Sequence, residues 1–188
     1  MEYKNSGTKV ITGMVRLSYA NIWNPVAVDE GQEPKYSTSL IIPKSDTKTL
    51  DAINKAIEAA KAAGLSKWGG KIPANLKLPL RDGDTDRPND ENYKGCYFIN
   101  ASSRVKPGIV DIGRSPILNQ EEVYSGCYAV ASINFYAFNT SGNKGIAAGL
   151  NNIMKVAGGK PLSGKASPEQ DFEGIDIEGN EPGDYMLL

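Results

Sequence analysis

The stretch from Tyr128 to Phe138 alternates strictly between two kinds of side chain, and it constrains the fold more than any other part of the sequence. One set of alternate positions is small or apolar: Ala129, Ala131, Ile133, Phe135 and Ala137. The other set is an aromatic and polar row: Tyr128, Val130, Ser132, Asn134, Tyr136 and Phe138. Because successive side chains of a β-strand point to opposite faces, this pattern predicts a long strand with one buried face. The second face either packs as well or remains exposed as a surface on which the bases of a single-stranded nucleic acid can stack.

Shorter segments with the same period predict further strands. They cover Val10–Tyr19, Lys35–Ile42, Lys94–Lys106, Ile109–Ile112 and Gly145–Val156. In the first of them, Tyr19 falls on the same face as Val15 and Leu17, and Arg16 on the other. In Lys94–Lys106, Phe98, Asn100 and Ser102 fall together on a face of aromatic, polar and cationic residues. The segment Asn21–Pro34 has the Pro, Asn and Gly content of a loop. Within it Trp23 either packs on the core, the reading we favour, or stacks on bases.

One segment has the spacing of a helix. Leu50, Ile53, Ile57 and Ala60 form an apolar stripe at helical intervals, Ser45 or Asp46 can cap its start, and Gly64 can end it. Many short strands with a single helix predict a mainly β protein, an OB-fold-like β-barrel with one main α-helix and a long loop of mixed charge. We expect residues 1–157 to form this domain, residues 158–170 a linker, and residues 171–188 an acidic tail that is disordered alone.

The charges divide the chain into two parts. All 21 Lys and Arg lie at or before Lys165, and seven of the 22 Asp and Glu lie beyond it, so residues 1–165 carry +6 and the last 23 residues −7. Such a division suggests a body that binds a polyanion and a tail that does not.

The absence of histidine narrows the possible chemistry. Serine and cysteine nucleophiles activated by histidine, and zinc sites that contain it, are excluded. An enzyme built on carboxylates or lysine is not excluded by this, but the expectation is a protein without enzymatic activity, cofactor or metal. Cys96 and Cys127 lie in strand-like runs, which favours small core residues over a disulfide. The sequence has neither a membrane-length apolar run nor a signal peptide, and a cytoplasmic protein is therefore expected.

The long loop Leu65–Tyr93 contains two chemically distinct parts. Basic residues surround Trp68, which suits either a clamp for single-stranded nucleic acid or a solvated loop anchored by one ring. The acidic part, Asp82–Glu91, has carboxylates at alternate positions, but Arg87 stands where the glycine of a calcium-binding EF-hand belongs and Tyr93 where its last glutamate belongs. Arg81 and Arg87 can neutralise these acids internally. Two alternatives remain: a metal-dependent nuclease that uses these acids, and an adaptor that binds other proteins through its sheet.

Four segments carry a resemblance to a known family. They are KYSTSLIIPKSD (35–46), LPLRDGDTDRP (78–88), YKGCYFINASS (93–103) and YSGCYAVASINFYAFNTSGNKGIAAGLNNIMKV (124–156). On these segments, within a match over most of residues 8–172, the chain resembles phage-encoded single-stranded DNA-binding proteins with an OB-fold. The family pattern has a basic residue within CYAxAS, where this chain has Val130, and another near Ala157, so some cationic contacts of the family are absent here.

The resemblance implies a protein that coats single-stranded DNA during phage replication and recombination, in the host bacterial cytoplasm. The aromatic rings and cations expected to bind the DNA are Arg16, Lys35, Tyr36, Trp68, Lys71, Phe98, Arg104, Lys106, Tyr128, Tyr136, Lys144 and Lys155. The acidic tail resembles those of other replication proteins, which compete with DNA and dock partners. Its expected docking residues are Asp176, Glu178, Asp184, Tyr185 and Leu188. Self-association, for example as a dimer, is a further expectation.

Overall fold

The computed structural model describes residues 7–162, and strands dominate them. The strands are β1 (Lys9–Ile11), β2 (Val15–Val26), β3 (Lys35–Pro43), β4 (Leu80–Asp82), β5 (Cys96–Ser103), β6 (Gly108–Val110), β7 (Tyr128–Thr140) and β8 (Asn143–Ala157). The helices are α1 (Thr47–Ala63) and the single turn α2 (Gly83–Asp86), and three short 3-10 turns begin at Leu65, Glu91 and Gln120. The expected mainly β class with one main helix is confirmed.

Five strands form a closed ring in the order β7, β2, β3, β5 and β8, with β8 pairing back onto β7. All neighbours are antiparallel except β5 and β8, which are parallel at Ala101–Ala148 and Ser102–Gly149. This is the Greek-key arrangement of the predicted class, in which chain order and order around the ring differ. The short strand β1 pairs with β7 along the edge that β2 also uses. The short strand β6 pairs with β8 along the edge that β5 also uses.

A separate segment fills the seam between β5 and β8. Lys77 forms a parallel bridge with Gly145 of β8. Three residues later, β4 pairs with Ile99, Phe98 and Tyr97 of β5. Residues 77–82 therefore complete the ring where β5 and β8 do not pair directly.

The inside of the ring is the core. The predicted apolar row of β7 is buried there, with Ile133 fully inaccessible and Phe135 nearly so. Helix α1 packs against β1 and β7, and its buried side chains include the predicted stripe. Asp46 caps α1 by accepting a hydrogen bond from the Thr49 amide, and Gly64 ends it, as the sequence predicts. No helix among residues 7–162 is long and apolar enough to cross a membrane.

Several predicted boundaries are wrong. The first strand is broken at Gly13 into β1 and β2, and β2 continues to Val26 through part of the expected loop. The expected loop Leu65–Tyr93 contains β4 and α2 as well as two 3-10 turns. These differences arise because the pairing of short strands depends on partners distant in sequence, which local composition does not reveal.

The start of the predicted linker packs against the body. The Leu162 amide donates to the Ser125 carbonyl at 2.9 Å, and the Leu162 side chain contacts the cluster of Ile41, Tyr93 and Phe98. Residues 163–170 of the linker and the acidic tail 171–188, with its five predicted docking residues, lie outside the described part of the chain.

Both cysteines are free thiols. Cys127 is fully buried between β2 and β7, while Cys96 at the start of β5 is half-buried. Burial raises the pKa of each thiol. Both therefore remain protonated and unreactive near neutral pH, which agrees with a structural role.

Candidate nucleic-acid interface

A groove of about 450 Å³ runs along the outer face of β2, β3 and β5. Its lining consists of Tyr19, Asn21, Val28, Ser37, Thr38, Ser39, Arg87, Asn100, Ala101 and Ser102. Of these ten described residues none is acidic, and Arg87 is the one that carries a charge. In chain order, β3 and β5 are the second and third of the five ring strands, and OB-folds bind oligonucleotides on the face of these two strands.

A bulge in β2 brings Tyr19 to this groove. The pairing of β2 with β3 shifts register between Ser18 and Asn21, and Tyr19 has a positive φ of 47°. Because one irregular residue reverses the faces of a strand, Tyr19 points outward and 58% of its surface is exposed. The sequence prediction that placed Tyr19 on the same face as Val15 and Leu17 is wrong for this reason, since those two residues are buried.

Arg87 lies in the groove against three aromatic rings. Its guanidinium carbon is 4.8 Å from the ring centre of Tyr93, 5.1 Å from that of Phe98 and 5.2 Å from that of Tyr19. One guanidinium nitrogen is 3.4 Å from the Tyr19 hydroxyl. No carboxylate within residues 7–162 forms an ion pair with Arg87. Its positive charge is therefore held by rings and left available to an anionic ligand.

The acids that precede Arg87 are paired with other cations. The Lys44 ammonium lies 2.8 Å from Asp82 and 2.7 Å from Asp84, and Arg81 contacts Asp86 at 2.9 Å. The hydrogen bonds with Lys44 lower the pKa of both Asp82 and Asp84, and the same bonds raise the pKa of Lys44. Arg81 neutralises an acid as expected; Arg87 does not, and Lys44 does so in its place.

These ion pairs bear on the metal alternative. Within the described residues no group of three or more carboxylates or thiols is placed to hold a metal ion. The Asp82–Glu91 stretch instead begins with a capped turn, in which Asp82 accepts a hydrogen bond from the Asp84 amide at 2.9 Å. The geometry therefore gives no support to a nuclease built on these acids.

Arg16 and Tyr128 are occupied by the segment 158–162. Arg16 donates to the carbonyls of Lys160 at 2.7 Å and Gly126 at 3.1 Å, while its guanidinium lies 5.7 Å from the ring centre of Tyr128. Gly126 and Gly159 allow the two backbones to meet, because a Cβ on either would collide with the other strand. Arg16 and Tyr128 therefore hold the segment that leads to the tail.

Two of the predicted stacking rings are not accessible. Phe98 is fully buried beneath Arg81 and Arg87, although it lies on the outer face of β5 as predicted. Trp68 is 6% exposed and donates its indole N–H to the Phe138 carbonyl at 3.0 Å, so it anchors its loop instead of presenting a ring. Trp23 is half-buried and bonded to the Val123 carbonyl at 2.9 Å, in agreement with the packing reading.

The other predicted residues do not line the groove. Lys35, Lys71, Arg104 and Lys106 are exposed, and Tyr36, Lys144 and Lys155 are half-buried. Arg104 pairs with Glu33 at 3.0 Å, and the Lys106 ammonium lies 5.2 Å from the Trp23 ring centre. Tyr136 is 42% exposed on the outer face of β7, over Gly149 of β8, and does not line the groove.

Sequence reasoning missed the three side chains that give the groove its character, namely Tyr19, Arg87 and Asn100. Asn100 had been placed correctly on the polar face of β5, and its alternation with Phe98 and Ser102 was the available signal. From the sequence, Arg87 could be interpreted only as a cation that neutralises the neighbouring acids. The alternation of side chains in Val10–Tyr19 gives no sign of the bulge that exposes Tyr19.

Comparison with known proteins identifies the family. The family model of the ssDNA-binding protein of Enterobacter phage Enc34 matches residues 8–186. A curated relative, putative protein p50 of Acyrthosiphon pisum secondary endosymbiont phage 1, is 29% identical over 166 residues, covering 83% of this chain and 87% of the relative.

Solved structures agree with the family match. The single-stranded DNA-binding protein of bacteriophage Enc34 in complex with ssDNA is 27% identical, with a TM-score of 0.75 over 86% of this chain and 96% of the other. The gp2.5 single-stranded DNA-binding protein of bacteriophage T7 is 15% identical, with a TM-score of 0.61 over 85% and 97%, and shares the fold. The chain belongs to the family of phage single-stranded DNA-binding proteins represented by that of Enterobacter phage Enc34.

Proposed function

We propose that this protein binds single-stranded DNA in the groove of β2, β3 and β5 and coats it without sequence specificity. The observation that carries this proposal is the composition of the groove: an exposed ring, an unpaired guanidinium and uncharged hydroxyl and amide groups, with no acid among the described lining residues. The complex of the Enc34 relative with ssDNA supports it.

Each part of the groove has a chemical role in this proposal. Tyr19 offers the free side of its ring to a base, and stacking is nearly blind to sequence because every base has a π-face. Arg87 binds backbone phosphate or a base oxygen through its free N–H groups. Asn100 and the serines accept or donate hydrogen bonds to whichever base edge is presented.

In this proposal, further cations of the protein extend the path of the DNA backbone beyond the groove. In this proposal Lys35, Lys71, Arg104, Lys106, Lys144 and Lys155 attract phosphates on either side of it, and Tyr36 and Tyr136 remain secondary candidates for stacking. Each phosphate neutralised releases counterions, so affinity falls steeply with salt. The activity needs no catalysis and no cofactor.

The acidic tail competes with DNA for the groove in this proposal. Its support is the position of Leu162, which packs against the cluster that contains Phe98 and Tyr93, two of the rings beside Arg87. The seven acids of residues 169–184 follow Leu162 in the sequence. The same tail, through Asp176, Glu178, Asp184, Tyr185 and Leu188, would dock replication or recombination proteins in the host cytoplasm. Self-association as a dimer belongs to the same proposal.

Fluorescence anisotropy of a labelled single-stranded oligonucleotide tests this function. We expect binding that prefers single strands over a duplex competitor and weakens with salt, and tighter binding by a chain stopped after Gln170. The matched control is the full-length chain with the six acids beyond Gln170 changed to amides, which should behave as the truncated chain does. Absence of binding by all three proteins would contradict the proposal.

A further inference from the structure

The turn that carries Arg87 is fixed from two directions. Lys44 follows β3, and its ammonium bonds to Asp82 and Asp84, the cap and the second residue of α2. The second carboxylate oxygen of Asp84 accepts the Gly95 amide at 2.9 Å, which joins α2 to the chain that enters β5. Asp84 thus connects the turn to the end of β3 through Lys44, and to the start of β5 through Gly95.

The turn also packs tightly underneath. Gly83 is buried, and a Cβ at this position would collide with the carbonyl oxygen of Tyr93. The Arg87 amide donates to the Gly83 carbonyl at 3.0 Å and closes the turn. Arg87 therefore leaves α2 from a backbone whose position is set by Lys44, Asp84 and the contact at Gly83.

We propose that Lys44, Asp82 and Asp84 are positioning residues for DNA binding, which hold α2 so that the Arg87 guanidinium lies in the groove with its charge unpaired. This inference rests on the proposed function and adds a role for an acidic cluster within a surface that binds a polyanion. Asp82 and Asp84 are paired with Lys44, and Asp86 is paired with Arg81. These acids therefore do not neutralise Arg87.

The proposal predicts a change in DNA affinity opposite to the change that long-range electrostatics predicts. Asp84→Asn removes one negative charge close to the DNA, and long-range charge alone would make binding tighter. Loss of positioning makes it weaker, because the guanidinium is no longer held where phosphate arrives. The direction of the change therefore separates the two explanations.

The experiment measures single-stranded oligonucleotide affinity of the full-length chain over a range of salt concentrations. We expect Asp84→Asn to bind about three- to tenfold more weakly than wild type, with a log–log salt slope reduced by about 1, as for Arg87→Ala. In an Arg87→Ala background the same substitution should not weaken binding further. Glu91→Gln, which removes an exposed acid of the same segment, is the control and should not weaken binding.

Lys44→Gln provides a second test, since it removes the cation of the same ion pairs. Thermal melting of every variant establishes that it is folded at the assay temperature. We expect Lys44→Gln to lose its effect in the Arg87→Ala background as well. Wild-type affinity and slope in Asp84→Asn, or equal weakening by it with and without Arg87, would overturn the positioning role. Absence of binding by the wild-type chain would instead overturn the proposed function itself.

Discussion

Tyr19 shows how a single backbone irregularity changes what a side chain does. The alternation around it places it on the face of Val15 and Leu17, but its positive φ turns it outward onto Arg87. Phe98 shows the converse: alternation assigned it to the correct face, but the later chain segment with Arg81 and Arg87 covers it. Sequence periodicity gives the face of a strand and not what lies above that face.

Replacing Tyr19 tests whether the groove is the surface that stacks bases. We expect Tyr19→Ala to weaken single-stranded DNA binding about 5- to 150-fold, because one base–aromatic stack is worth roughly 1–3 kcal/mol. The salt slope should stay unchanged, since no cation is removed. Tyr19→Phe keeps the ring and should retain most of the affinity in the same anisotropy titration.

Tyr136→Ala is the matched comparison, since Tyr136 is an exposed tyrosine outside the groove. It should weaken binding less than Tyr19→Ala. The reverse order would move the stacking surface to the outer face of β7, where the alternating pattern first placed it.

Among the elements, those with long and regular patterns could be predicted and those that depend on tertiary contacts could not. β7 and α1 follow from period and capping, and β8 from its place after a tight turn. β4 has three residues and exists because β5 offers it an edge. The packing of residues 158–162 likewise depends on Arg16 and Tyr124, which are distant in sequence.

The cap of α1 provides a test at this scale. Asp46→Ala removes the acceptor of the Thr49 amide and should lower the free energy of unfolding by about 1 kcal/mol. Denaturant unfolding measures this change. Asp51→Ala, on an exposed position within the same helix, should cost little or nothing. Equal effects of the two substitutions would contradict the assigned cap.

At the scale of the whole molecule, the ion pairs of Lys44 join β3, α2 and the start of β5 into one unit. The lowered pKa values of Asp82 and Asp84 stabilise the fold only while both groups are ionised. This contribution is complete above the unfolded-state pKa of about 3.9 and is lost as the pH falls through the lower folded-state pKa. The raised pKa of Lys44 has the opposite sign, and its contribution is lost only at strongly alkaline pH.

Unfolding midpoints in denaturant between pH 7 and pH 3 test this dependence. The wild-type midpoint should fall as the pH drops below about 4, in the window of carboxylate protonation. A chain with Asp82→Asn and Asp84→Asn should be less stable at pH 7 and lose less on acidification, so that the two curves converge. Parallel curves would show that the ion pairs do not contribute.

The seam of the ring has a consequence for the bound state. Direct pairing of β5 with β8 spans Ala101 and Ser102, and residues 77–82 close the rest before leading into the turn of Arg87. Lifting this patch opens the wall of the ring and withdraws the guanidinium in the same motion. In the proposed complex, DNA bound to Arg87 favours the closed form and so raises the free energy of opening, by mass action. Local opening of the ring at this seam is therefore less frequent in the DNA-bound protein than in the free protein.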